Sequence, residues 1–136
     1  MRPPEEVKRD LVRQWLARAD DDLDTAKFLS SPGNSFFSAI CFHCQQAVEK
    51  YFKTFLTWQQ IEFPKTHALG LLLGLIASTD SSLAASLTDV EALNPYGVDI
   101  RYPGDISETT WKDAEEAIRL ADRVREAISL ALKGKT

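Results

Sequence analysis

From Pro4 to Leu29 the apolar residues Val7, Leu11, Trp15, Ala19, Leu23, Ala26 and Leu29 recur at every third or fourth position. That spacing gathers them on one stripe of an α-helix and would scatter them over both faces of a strand. The same period returns near the other end of the chain, where Ala114, Ala117, Ile118, Ala121, Val124, Ile128 and Ala131 share a face and Arg119, Asp122, Arg123 and Glu126 lie opposite. No stretch alternates at period two for long enough to make a strand of consequence, so the chain is expected to be all-α.

Punctuation divides the helices. Pro3 and Pro4 suit a first turn, where a missing N–H costs nothing, and "SSPGNS" stops the first helix after Leu29. A second helix is expected from about Ser35 to Trp58, ending before "QQIEFPK". The region from about Thr66 to Leu93 reads as two helical pieces broken near "STDSS", with Ser, Thr or Asp supplying the cap of the second piece. After Leu93 comes "NPYGVDIRYPGDISETT", with two prolines, two glycines and no helical period; structureless loops of that length are uncommon in a compact domain and often functional. The last helix is expected over Thr110 to Lys133, ended by Gly134. Together these make an up-and-down bundle of four to five helices. Residues 1–136 are enough for one domain, since a chain of this size buries roughly 70% of its unfolded surface in a single core.

Composition narrows the function classes. The longest apolar run, "LGLLLGLIA", contains glycines and falls well short of the roughly 20 residues of a membrane helix. The opening "MRPPEEVKRD" is charged with no apolar core behind it, unlike a secretory signal, so a cytoplasmic location and no membrane association are expected. The net charge of −4 argues against broad binding to phosphate backbones, though not against a local basic cleft. Acidic residues cluster in "RADDDLD", expected to be a solvated helix face, whereas Lys50, Lys53, Lys65 and Arg101 come later.

The densest chemistry sits in "AICFHCQQAVEKYFK", which holds both cysteines and His43. A metal site does not assemble there. At about 100° per residue His43 points about 100° away from Cys44 and about 160° away from Cys41, and zinc asks for three or four converging ligands. Cys41 and Cys44 instead fall among Ile40, Val48, Tyr51, Phe52, Phe55 and Trp58, the core stripe, where thiols act as small hydrophobes rather than nucleophiles. The opposite arc carries His43, Gln46, Glu49, Lys50 and Lys53 around Phe42. An aromatic ring among those polar groups suggests a second covered surface, either a subunit interface or the wall of a cleft. There is no Gly-rich phosphate loop, and no cofactor is expected.

"CFHCQQAVEKYFK", then "KTHALGLLL" after a Pro-containing turn, then "IRYP" in a late loop before a final helix, together resemble the HEPN domain family (higher eukaryotes and prokaryotes nucleotide-binding). The likeness follows a pattern of aromatic-His-x-x-Gln-x-x-Glu-Lys-x-x-Lys, a His-x-Leu start to the third helix, and Arg-Tyr-Pro. It implies a helical bundle that forms a homodimer with a cleft near the pairing helices. It also implies a minimal nucleotidyltransferase as partner, in a complex commonly of toxin–antitoxin type, and contact with nucleotide or RNA. Carried over residue by residue, the ligand-binding candidates are Gln46, Lys50, Lys53, His67, Arg101 and Tyr102, and the interface candidates are Phe42 and Glu49. Arg101 and Lys53 would supply charge for phosphate and Tyr102 a stacking face. The plain structural reading is that Gln, Glu and Lys knit the dimer and Arg101 closes a salt bridge to Glu49 or to the first helix.

One branch of the family cleaves RNA with an Arg and a His separated by four to six residues. Here the required positions hold Phe36, Phe37 and Ser38 before His43, and Gln60, Ile61 and Glu62 before His67. That activity is not carried over. A binding module is therefore expected, with two alternatives left open: a divergent metal-independent ribonuclease, or a scaffold subunit with no ligand.

Overall fold

A computed structural model describes residues 4–97 and 109–133. The described residues form five α-helices, α1 (Pro4–Leu29), α2 (Phe37–Trp58), α3 (Leu69–Ala77), α4 (Ser81–Ser86) and α5 (Trp111–Ala131), with a 3₁₀ segment (Thr88–Gly97) after α4. No strand occurs among them. The expected all-α bundle is the observed architecture.

Helix α2 is the axis of the molecule. It is packed by α1, α5, α3 and the 3₁₀ segment, and more than half of its 22 residues are buried. Covered on several sides, α2 nevertheless buries Gln45, Glu49, Lys53 and Thr54 alongside Ile40, Val48, Tyr51, Phe52 and Leu56. Helix α1 contributes Val12, Ala19, Leu23 and Ala26 to the core, and α5 contributes Ala114, Ala117, Leu120, Ala121, Val124 and Ile128. Small residues at those spacings let the helices approach closely.

The ends of α2 and α5 follow local chemistry. Gln59 and Gln60 close α2 in a Schellman arrangement: Ile61 N–H donates to Leu56 O at 2.9 Å and Gln60 N–H to Thr57 O at 3.1 Å. The left-handed position this requires is taken by Gln60, at φ 58°. Thr110 caps α5 reciprocally with Asp113, and Asp80 caps α4 by accepting from Leu83 N–H at 3.0 Å.

The stretch expected to be loop from Asn94 onward starts as 3₁₀ helix, and residues 98–108 of it lie outside the described residues. The 3₁₀ segment continues through Asn94, Pro95 and Tyr96 to Gly97. Its packed residues Val90, Leu93 and Tyr96 recur every three positions, the period of a 3₁₀ helix, which a search for 3.6-residue periodicity passes over. Asn94 then accepts from the first N–H of α3, at Leu69 (3.0 Å).

Candidate functional site

The polar arc of α2 is covered by its own chain. The helical spacing places His43 and Lys50 two turns apart on one line, and both reach α1: His43 Nδ1 lies 2.9 Å from Asp22 Oδ1 and Lys50 Nζ 2.5 Å from Asp22 Oδ2. One turn further along, Glu49 and Lys53 pair at i,i+4 (2.9 Å), and the other oxygen of Glu49 lies 2.7 Å from Nδ1 of His67, in the connection before α3. Two carboxylates thus each sit between an imidazole and an ammonium.

The acidic cluster of α1 departs from the expected solvated face. Asp22 faces α2 as described, and Asp20 accepts from the buried Tyr51 hydroxyl while lying 3.8 Å from Arg125 of α5. Burial, followed by the Asp20 carboxylate, pushes the Tyr51 phenol well above its ordinary range. Asp21 and Asp24 remain exposed.

Around Glu49 the packing is tight. Lys53 lies 5.4 Å from the Trp15 ring centroid and 5.8 Å from that of Phe63, so its ammonium has aromatic faces as well as Glu49 for company. Gln45, fully buried, donates to the main-chain oxygen of His67 at 3.1 Å and accepts from Gln46 at 2.7 Å. Gly97 closes over it: a Cβ there would stand 3.0 Å from Gln45 Nε2.

The sequence-derived candidates are distributed as follows. Glu49 and Lys53 are enclosed, Gln46 and Lys50 are half-buried, and His67 is exposed. Phe42 is half-buried with its ring edge-on to that of His43 at 5.4 Å. Arg101 and Tyr102 lie outside the described residues. Gln45, Asp22 and Asn94 are not among the sequence-derived candidates. Asp22 shares the 19, 22, 23, 26 stripe of α1, and Gln45 the 41, 44, 45, 48 stripe of α2, so both stood on core-facing lines; Asn94 left no such signal. Cys41 and Cys44 are buried, and burial, then the neighbouring Cys41, pushes the Cys44 thiol well above the usual thiol range. Among the described residues no group of three or more His, Cys, Asp or Glu could hold a metal ion, and no helix is long and apolar enough to cross a membrane.

A helical bundle built on one central helix, whose His-x-x-Gln-x-x-Glu-Lys-x-x-Lys line reaches α1 through His43 and Lys50 and a His-x-Leu segment through Glu49, defines a class. The chain matches the HEPN domain over residues 12–132 and belongs to that family. It is 30% identical over 138 aligned residues, covering 91% of this chain and 90% of the relative, to a protein of Methanocaldococcus jannaschii whose name is "Putative toxin MJ1304". Two crystal structures are similar. An archaeal HEPN homologue superposes with a TM-score of 0.68 at 26% identity, over 90% of this chain and 98% of that one. A Thermus thermophilus protein gives 0.71 at 25% identity, over 88% and 96%.

Proposed function

We propose that the chain is the HEPN subunit of a two-component toxin–antitoxin pair. In this reading it works in the cytoplasm as a homodimer, takes a minimal nucleotidyltransferase as its partner, and contacts nucleotide or RNA beside α2. Family membership and the name of the M. jannaschii relative support the class. The observation that carries the ligand reading is the set of buried polar groups, Gln45, Glu49 and Lys53, gathered beneath one exposed histidine. Lys53 is committed to Glu49 and Lys50 to Asp22, which leaves His67 as the described candidate most open to a ligand. In sequence, Arg101 follows Gly97 by four residues, and Gly97 closes over Gln45. The role is binding rather than cleavage, because neither histidine has the Arg that the family's ribonuclease branch requires.

Titration with ATP and with short RNA, read by thermal shift, tests the ligand reading, since a ligand of the folded state must raise the melting temperature. A rise lost in His67→Ala is the expected result, and no rise with any nucleotide overturns it. Light scattering on a sizing column should give twice the monomer mass at micromolar concentration. Co-purification with a nucleotidyltransferase encoded beside the gene tests the partner.

A further inference from the structure

His67 is fixed from two directions by side chains that are themselves enclosed. Its Nδ1 is held by Glu49, and its main-chain oxygen accepts from Gln45. Those two residues are 3% and 0% exposed, yet the His67 side chain is 64% exposed. A surface histidine needs no such anchoring to satisfy packing, and apolar residues of similar volume commonly replace a buried ion pair without loss of stability. The bundle spends interior polar groups on holding one exposed ring in one orientation.

The hydrogen bonds also fix where the proton resides. An ionised carboxylate can only accept, and the second oxygen of Glu49 already accepts from Lys53 at 2.9 Å. The proton between Glu49 and His67 therefore belongs to Nδ1. Glu49 and Lys53 cancel in charge, and in the neutral form of the ring Nε2 then carries a bare lone pair on the edge turned away from Glu49. A lone pair asks for a donor. Phosphate oxygens offer only acceptors, whereas a hydroxyl donates.

Resting on the proposed contact with nucleotide or RNA, we infer that His67 is a fixed hydrogen-bond acceptor for a ligand hydroxyl, with Glu49 as its positioning residue. The ribose hydroxyls of a ribonucleotide are the donors it fits. The site thereby prefers ribonucleotides to nucleotides lacking those hydroxyls.

Long-range ¹⁵N–¹H spectra of the imidazole rings in the full chain near neutral pH decide it, because protonated and bare ring nitrogens resonate far apart. The expected result is a protonated Nδ1 and a bare Nε2 at His67. Adenosine 5′-monophosphate should then move the His67 Nε2 signal, while 2′,3′-dideoxyadenosine 5′-monophosphate, with the same base and phosphate, should not. Glu49→Gln should mix the two tautomers at His67 and leave His43 as it was. Should that variant not fold, the wild-type tautomer and the two nucleotides still decide. A proton on Nε2, or an equal response to both nucleotides, overturns the inference. Shifts elsewhere in the chain with His67 silent would remove the inference and leave the nucleotide reading standing; no shift anywhere would remove both.

Discussion

Asp22 and Glu49 hold the same kinds of partner in different surroundings. Asp22 joins two helices: its carboxylate on α1 takes His43 and Lys50 from α2, and the three side chains are 14%, 29% and 23% exposed. Glu49 takes Lys53 from its own helix and His67 from a connection, and exposure climbs from 4% at Glu49 and 8% at Lys53 to 64% at His67. The first cluster is a strap whose members could each turn to water if it broke. The second runs from a sealed interior to the surface, so its inner members have no such escape. Equal chemistry therefore predicts unequal energetics, and the inequality separates a joint between helices from a mount for an exposed group.

The sharpest break is Glu49→Ala. It leaves the Lys53 ammonium enclosed between Trp15 and Phe63 with no counter-charge. Removing one member of a buried ion pair costs about 3–5 kcal/mol, and urea denaturation should show a loss in that range. A loss close to that of an exposed pair would mean that Lys53 reaches water and that the gradient of exposure has no energetic meaning.

Next in size is Gly97→Ala, which attacks the second anchor of His67, one that His43 does not have. The added methyl would meet Gln45 at 3.0 Å, and Gln45 cannot give way because it is fully buried and hydrogen-bonded on both sides. Overpacking of this kind costs about 1–3 kcal/mol, and amide exchange in the connection before α3 should accelerate along with it. If stability fell without a change there, Gln45 would be simple filling rather than an anchor.

Asp22→Ala follows, at about 1 kcal/mol, since partly exposed charges lose little when a partner is removed. A value near that of Glu49→Ala would erase the distinction between strap and mount.

How far the sequence reveals this contrast depends on which signal each residue leaves. Helix boundaries were legible wherever a 3.6-residue stripe met a capping residue: α1 ends before "SSPGNS", α4 starts on Asp80 and α5 on Thr110. Residues 88–93 of the 3₁₀ segment fell inside the expected second helical piece, and its last four residues were read as loop because Pro95 reads as a breaker. On α2 the wheel correctly set Cys41 and Cys44 in the core. Its polar arc was recognised as a surface meant to be covered, but a single helix carries no information about what covers it. Four aspartates in "RADDDLD" look alike in composition, and only the stripe through Ala19, Leu23 and Ala26 distinguishes the inward Asp22 from the outward Asp21 and Asp24. The Gln45 anchor depends on Gly97 and His67, dozens of residues away, so nothing local announces it.

The smallest effect is the most discriminating. His67→Ala removes an exposed ring and leaves Glu49 still paired with Lys53, so its cost should stay within about 0.5 kcal/mol, as for most surface changes. His43→Ala removes a ring that is 29% exposed and packed against Phe42, and should cost about 1 kcal/mol through the lost hydrogen bond and contact. Paired urea curves on the two variants would measure the order. Stability should rank His43 above His67, while the response to nucleotide should rank them the other way, because a strap is valued for what it joins and a mount for what it presents. If both rankings came out the same way, a single property, burial or charge, would account for both histidines, and the two clusters would have to be read as variants of one structural joint.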